Sequence, residues 1–337
     1  MDLTRRELGQ LALGAIAVAP LRAGVPGATV TATQSPKPNS VFGGVQIGVL
    51  APDSFMNDAP DAATILARVV QLGISAVELH STVIEGFAGA PGLPRGAGSA
   101  TPAPPQTAPA PAAGPRGLTP EQQTADTLRR WRLSQSMTRF RDLKRRFDDA
   151  GVAIQLVRFD LGPTFVDEEI DYSFQVAKAL GARAITCEPP VREAKRLGLF
   201  ADKHQLMLGF HGHSDVTTAD AFGRPGAWEQ AFFYSRFNGA SVDLGQFTAG
   251  NNRSPLAFIR EYHERITNIH LTDRRINQGP PVPWGEGDAE IREVLDLMRR
   301  EQYPFQATIE LDYAVPPGST RTAEIAKGLT FCRGALA

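Results

Sequence analysis

Cysteine is nearly absent from this chain. Cys187 and Cys332 are the whole complement, too few for a disulfide framework or a thiolate metal cluster. An excess of either charge is absent as well. Thirty-five Lys and Arg face 36 Asp and Glu, a formal charge of −1, so no global field draws the chain to nucleic acid or to an acidic membrane surface. The apolar run at 11–20 falls well short of the ~20 residues a helix needs to cross a bilayer, which argues against a permanent span. No glycine-rich phosphate loop of the P-loop or dinucleotide type occurs. What is present is 337 residues, 42% hydrophobic and 21% charged, enough to bury a full globular core.

Glycine (32) and proline (26) are in surplus, and two stretches stand out. The first is the N-terminus, where Thr4-Arg5-Arg6-x-Leu8 precedes the short apolar segment and small residues near Ala23 and Ala28. This resembles a twin-arginine export signal over 1–28, placing the mature protein in the periplasm or outside the cell. The second is 86–120, with 9 Pro, 7 Gly, 9 Ala and no acidic residue. Such a segment buries too little surface to offset its ordering entropy and reads as a disordered loop. Setting aside these 35 residues and roughly 28 of signal leaves about 274 of the 337, close to the ~250 of a single (β/α)8 barrel. The domain is therefore placed at 41–335.

Eight short aliphatic or β-branched runs support that reading: 45–50, 75–79, 153–159, 183–187, 206–210, 240–244, 267–271 and 307–311. Stretches with helical apolar spacing lie between them, at 61–72, 128–150, 171–180, 254–264 and 290–300. Alternating strands and helices predict a parallel sheet. Gly73 and Gly181, each just before a strand, fit helix C-caps. In such a barrel the chemistry sits where strands end. Here the exits carry Glu78 and His80, Arg158 and Asp160, Glu188, His211 and His213, Asp243, His270 and Asp273, and Glu310. Four of the six histidines lie at exits, a clustering that points to a site.

Glu188, Asp243, His270 and Glu310 come from strands four, six, seven and eight. Three carboxylates and an imidazole make an oxygen-rich ligand set suited to one divalent ion, Mn²⁺ first, with Mg²⁺ or Co²⁺ as alternatives. Salt bridges from these acids to Arg253, Arg274 or Arg275 are the competing reading. A metal between a sugar carbonyl and its adjacent hydroxyl would acidify the α-hydrogen, and a carboxylate could then move the proton.

Several motifs carry a family resemblance: Ile185-Thr186-Cys187-Glu188-Pro189, Gly209-Phe210-His211-Gly212-His213, Val242-Asp243, Thr267-Asn268-Ile269-His270-Leu271-Thr272-Asp273 and Pro283-Trp284-Gly285-Glu286-Gly287-Asp288. In this order the series resembles the xylose isomerase-like barrels, the sugar phosphate isomerases and epimerases. The resemblance implies a (β/α)8 barrel in which the residues matching Glu188, Asp243, His270 and Glu310 bind the metal. Glu188 and Glu310 are then also the acid/base pair, and His211 contacts substrate hydroxyls. One position departs: where the family commonly has Asp-x-x-His, this chain has Asp243-Leu244-Gly245-Gln246. Gln246 can hydrogen-bond a hydroxyl but cannot titrate, so a mechanism using that histidine is not transferable.

Other substrate-side candidates are His213, which alternation aims the same way as His211, Glu78, Arg158, and Trp284 as a stacking platform. Asp288 is expected to cap the helix at 290–300, and Cys187 to face the helices. The combined expectation is a metal-dependent isomerase or epimerase that abstracts a proton next to a carbonyl of a free or oxidised sugar, with no nucleic-acid partner. A lyase or dehydratase acting on a keto-glycoside, and a non-catalytic sugar-binding barrel, use the same residues and stay open.

Overall fold

The computed structural model describes residues 37–93 and 119–337. The twin-arginine segment and most of the proline-rich insertion lie outside the described residues. The strands are β1 (Val41–Phe42), β2 (Val45–Ala51), β3 (Ala76–His80), β4 (Ala153–Arg158), β5 (Ala184–Cys187), β6 (Met207–His211), β7 (Asn238–Asp243), β8 (Ile266–Leu271) and β9 (Gln306–Ile309). From β2 to β9 each strand pairs in parallel with the next, and β9 pairs in parallel with β2. That closure makes a (β/α)8 TIM barrel. Short β1 folds antiparallel onto β2 through Gly43 and Gly44, both at positive φ, a turn that glycine enters without a Cβ clash.

The helices are α1 (Ala62–Leu72), α2 (Ser81–Ala88), α3 (Pro120–Ser134), α4 (Thr138–Asp149), α5 (Asp167–Leu180), α6 (Ala194–His204), α7 (Pro225–Tyr234), α8 (Leu244–Asn251), α9 (Leu256–Tyr262), α10 (Ile291–Glu301) and α11 (Arg321–Ala335). Gly73 and Gly181 close α1 and α5 in left-handed conformation, as the sequence predicts. Three expectations need correction. The helical stretch at 128–150 is two helices, because Ser134 Oγ and Gln135 Nε2 both bind the Trp131 carbonyl and end α3. The predicted loop is shorter than 86–120: α2 runs into it, and Thr119 with Gln122 forms a capping box that starts α3 inside it. Asp288 does not cap α10; its carboxylate accepts from the Ile276 amide, and Glu290 holds the N-cap position.

Strand alternation divides the barrel's two faces. Val49, Val77, Leu79, Val157, Ile185, Cys187 and Ile269 pack toward the helices in the main apolar core, so Cys187 lies where alternation places it. The other face points to the axis and is strongly polar: Glu78, Thr186, Asn268, Gln306 and Thr308 are all buried. Gly48 on β2 supplies the room this needs, since a Cβ there would collide with the Gln306 amide.

A second buried polar group holds α3 to the body. Arg132 donates to both oxygens of Glu85 on α2 (2.8 and 3.0 Å) and to Glu169 on α5 (3.1 Å), and Arg129 adds a 2.9 Å bond to Glu169. Glu85 and Glu169 are only 1% and 3% exposed, so neither carboxylate can exchange this partner for water. Arg132→Ala should cost about 3–5 kcal/mol of stability in denaturant unfolding, as expected when a buried charge loses its counter-charge. A cost below about 1 kcal/mol would show that water reaches the pair.

Candidate functional site

The strand exits converge on one polar mouth. His211 ends β6, Asp243 ends β7, His270 is the fifth residue of β8, and Glu310 follows β9 directly. One donor atom from each of these four lies within 4.8 Å of the others. The quartet therefore comes from four consecutive strands. Its imidazoles touch, His211 Nε2 to His270 Nδ1 at 3.1 Å, and Asp243 Oδ2 lies 3.9 Å from His211 Nε2.

This differs from the expected grouping in one member. Glu188 follows β5, one strand too early, and lies on the far side of His211. Its Oε1 takes a 2.6 Å bond from Arg158 and lies 3.1 Å from His211 Nδ1; its Oε2 lies 3.1 Å from His213 Nε2. Glu188, His211 and His213 form a second close group, so His211 is the shared wall between the two. His211 is 5% exposed and belongs to the quartet, whereas His213, with a half-exposed side chain, faces the mouth on the same side, as alternation requires.

The quartet rests on Glu78. Fully buried on the barrel axis, Glu78 accepts from Thr186 Oγ1 (2.5 Å), Asn268 Nδ2 (3.0 Å) and His270 Nε2 (2.8 Å). Its expected contact with substrate is thereby corrected: both oxygens are occupied beneath His270. With Nε2 committed downward, His270 turns Nδ1 to the quartet, where it meets Glu310 Oε2 at 2.6 Å. Asp243 is fixed in the same manner, its Oδ1 accepting from the Gln246 amide (2.7 Å) and Thr272 Oγ1 (2.5 Å), which leaves Oδ2 for the cluster.

Two further candidates have structural duties. Gln246 Oε1 accepts from the Ser214 amide (3.1 Å) and from Arg274 (2.6 Å), so its carbonyl pins the mouth loops and only its NH₂ remains for a ligand. Trp284 donates Nε1 to the Leu271 carbonyl (2.6 Å) and packs edge-on against Tyr313. The contacts of its indole are with the protein, under the rim, rather than those of a stacking platform. His80 caps α2 through Nδ1 and lies 3.6 Å from Asp160.

Electrostatics follow this geometry. Burial opposes the charge of Glu78, yet His270 outweighs it and lowers the carboxyl. Burial also works against protonated His270, but Glu78 and Glu310 drive its pKa well up. Glu188 is held far below the usual carboxylate range against its burial, by bonds to His211 and His213 and by Arg158. Glu310 is lowered to about 2, again against burial, mainly by His270. Asp243 moves up, from burial and the Glu310 charge. The sequence reading passed over Asp312, two residues beyond Glu310 and hence on the same side of the strand's extension. Its Oδ1 is buried without a hydrogen-bond partner.

Comparison with known proteins adds fold-level findings. No family model matches the chain, and no curated protein matches it. Solved structures do match. A sugar phosphate isomerase/epimerase from Parabacteroides distasonis is 14% identical, with a TM-score of 0.55 over 87% of this chain and 96% of that one. The IOLI protein with a bound zinc atom is 13% identical, TM-score 0.56, over 87% and 99%. The 3-keto-D-glucoside 4-epimerase of E. coli is 8% identical, TM-score 0.56, over 86% and 99%. The chain thus shares the (β/α)8 barrel fold of these proteins, and the described residues contain a candidate metal-ligand cluster.

Asp312 gives a pH test. Burial, then the charges of Asp243 and Glu310, raise its carboxyl from 3.8 to about 7. The folded state then holds this proton more tightly than the unfolded chain, so its stabilisation is complete below about pH 4 and is lost as pH rises through about 7. In metal-free protein, Tm should fall between about pH 5 and pH 8 by several degrees more in wild type than in Asp312→Asn. Equal falls would place Asp312 in contact with water.

Proposed function

We propose that this barrel is a divalent-metal-dependent enzyme that abstracts the proton next to the carbonyl of a free or oxidised sugar, acting as an isomerase or epimerase. The observation that carries this reading is the quartet His211, Asp243, His270 and Glu310, four ligand-type side chains delivered to one point by four successive strands. The donor set fits a metal: two imidazoles and two carboxylates, with His270 oriented by a buried carboxylate as metal-ligating histidines usually are. Replacing Glu188 by His211 also shifts the preference. Two nitrogen donors favour Zn²⁺ or Co²⁺ over Mn²⁺, and disfavour Mg²⁺ most, since it prefers oxygen.

A cation held there supplies Lewis acidity, polarising a carbonyl oxygen and acidifying the hydrogen on the neighbouring carbon. The protein supplies the proton carrier. Glu188 lies outside the quartet, is ionised, and is aimed by Arg158 and His213, so it is placed to take the α-proton once a bound substrate displaces the imidazole bonds that lower its basicity. Glu310 reaches the mouth from the opposite side of His211, its Oε2 anchored by His270; being ionised, it can return a proton only after taking one from a substrate hydroxyl or water, and otherwise Glu188 returns the proton it has taken. His213 can hold a hydroxyl beside Glu188. The twin-arginine segment supports export, where phosphorylated sugars are scarce, and hence an unphosphorylated substrate; cell fractionation with Arg5→Lys/Arg6→Lys tests that step.

His270→Ala and Asp243→Asn should each abolish stoichiometric binding of added Zn²⁺, Mn²⁺ or Co²⁺ in equilibrium dialysis. Glu78→Gln should weaken it about 10–100-fold. Glu188→Gln should retain the metal and lose about 10²–10⁴ in turnover of keto-sugars followed by NMR in D₂O. A wild-type protein that binds no divalent ion after loading, or turns over no carbonyl sugar, would sink the reading.

A further inference from the structure

A second cavity opens beside the mouth, enclosed by α2, α3 and the loop after β4, with a volume of about 280 Å³. Leu93, Leu128 and Phe165 give it an apolar lining, and Asp160 and Thr82 form its edge toward the barrel. That edge lies on the side of the cavity toward the site. Thr82 is bonded to His80 at the end of β3, and Asp160 lies two residues beyond Arg158, which holds Glu188. Two residues of extended chain span roughly 7 Å. The Asp160 carboxylate on the cavity's edge is also close enough to Arg158 and Glu188 for their charges to act on it, which places that edge next to the mouth.

Its charges are already matched. Glu85 and Glu169 on its floor are bonded to Arg132 and Arg129, and the Arg132 guanidinium lies over the Phe165 ring at 4.8 Å. An ionic ligand would find no unpaired counter-charge on this floor, whereas an apolar one would find three large hydrophobic side chains. Size sets the class further. A cavity of ~150 Å³ accommodates benzene, so this one has room for a single substituted ring and too little for an oligosaccharide.

We propose that this cleft is a subsite for the apolar, ring-sized aglycone of a keto-glycoside whose sugar lies over the quartet. The inference rests on the reading of the mouth as a keto-sugar site. It selects a glycoside over a free ketose as the substrate class.

The test compares 3-keto-glucose with phenyl 3-keto-β-glucoside on zinc-loaded protein, by calorimetry for binding and by NMR for turnover. Wild type should bind the phenyl glycoside at least about tenfold more tightly. Leu128→Trp, which fills the cleft from a half-buried position on α3, should remove that preference while leaving binding of 3-keto-glucose unchanged. Phe165→Ala provides an independent variant and should reduce the preference without filling space. Equal wild-type affinities, or Leu128→Trp weakening both ligands alike, would overturn the subsite and leave the proposed function standing. Preferential binding without turnover of either compound would support the subsite and overturn the function. Failure to bind either would overturn both.

Discussion

A carboxylate on the axis of a barrel has to be matched where it stands, because no water or flexible cation can reach it. Moving such a charge out of water costs several kcal/mol even after relaxation, and Glu78 is fully buried. Three donors meet it, from Thr186, Asn268 and His270, each from the inward face of a different strand or position. This requirement fixes more than Glu78. It commits His270 Nε2, orients the ring, and leaves Nδ1 facing Glu310 and His211. The geometry of the quartet is thus set from beneath, by β3 and β5, two strands that contribute no quartet member.

The surrounding loops are held by similar means. Asp273, two residues beyond β8, accepts from the amides of Gly285 (2.8 Å), Gly287 (3.0 Å) and Ala289 (3.2 Å), which folds the 283–289 loop against the barrel. A Cβ at Gly287 would collide with that carboxylate, so the glycine is there for close approach. Trp284 and Gln246 belong to this scaffold. Side chains that look like ligand contacts in sequence are here spent on holding the mouth open in one shape, a recurrent division of labour around preorganised sites.

The barrel was legible because its signal is repeated eight times: a short aliphatic run, an ionisable residue at its end, then helical spacing. All eight predicted strands overlap observed ones within one or two residues at either end. The site was legible in composition but not in grouping. Spacings of 55, 27 and 40 residues put the expected ligands on strands four, six, seven and eight, a set that passes over the fifth strand, at whose exit His211 stands. Counting consecutive strands would have put His211 in place of Glu188, since a metal contacts neighbouring exits more readily than distant ones. Glu78 was found as an exit residue, yet its depth was hidden: alternation gives the face of a strand, not the level along the barrel axis. The α3 to α4 break was hidden for another reason, because side-chain caps on the Trp131 carbonyl interrupt a stretch whose apolar period continues through it.

The charge of the mouth narrows what can enter. Asp53, Glu78, Glu188, Asp243, Glu310 and Asp312 surround it or lie beneath it, against the guanidinium groups of Arg158 and Arg274; Asp53 and Glu78 are both close enough to Arg158 to act on its charge. Six acids against two guanidiniums and the His270 imidazole, whose pKa is driven well up, leave an acidic excess before any cation is bound. At a few ångströms and partial burial, each unmatched like charge opposes a phosphate ester by about 1–4 kcal/mol. A neutral, hydroxyl-bearing ligand meets no such barrier and can use the same acids as acceptors. Under the proposed reading, the acidic mouth and the matched, apolar cleft beside it suit a ligand that is uncharged, polar at one end and hydrophobic at the other.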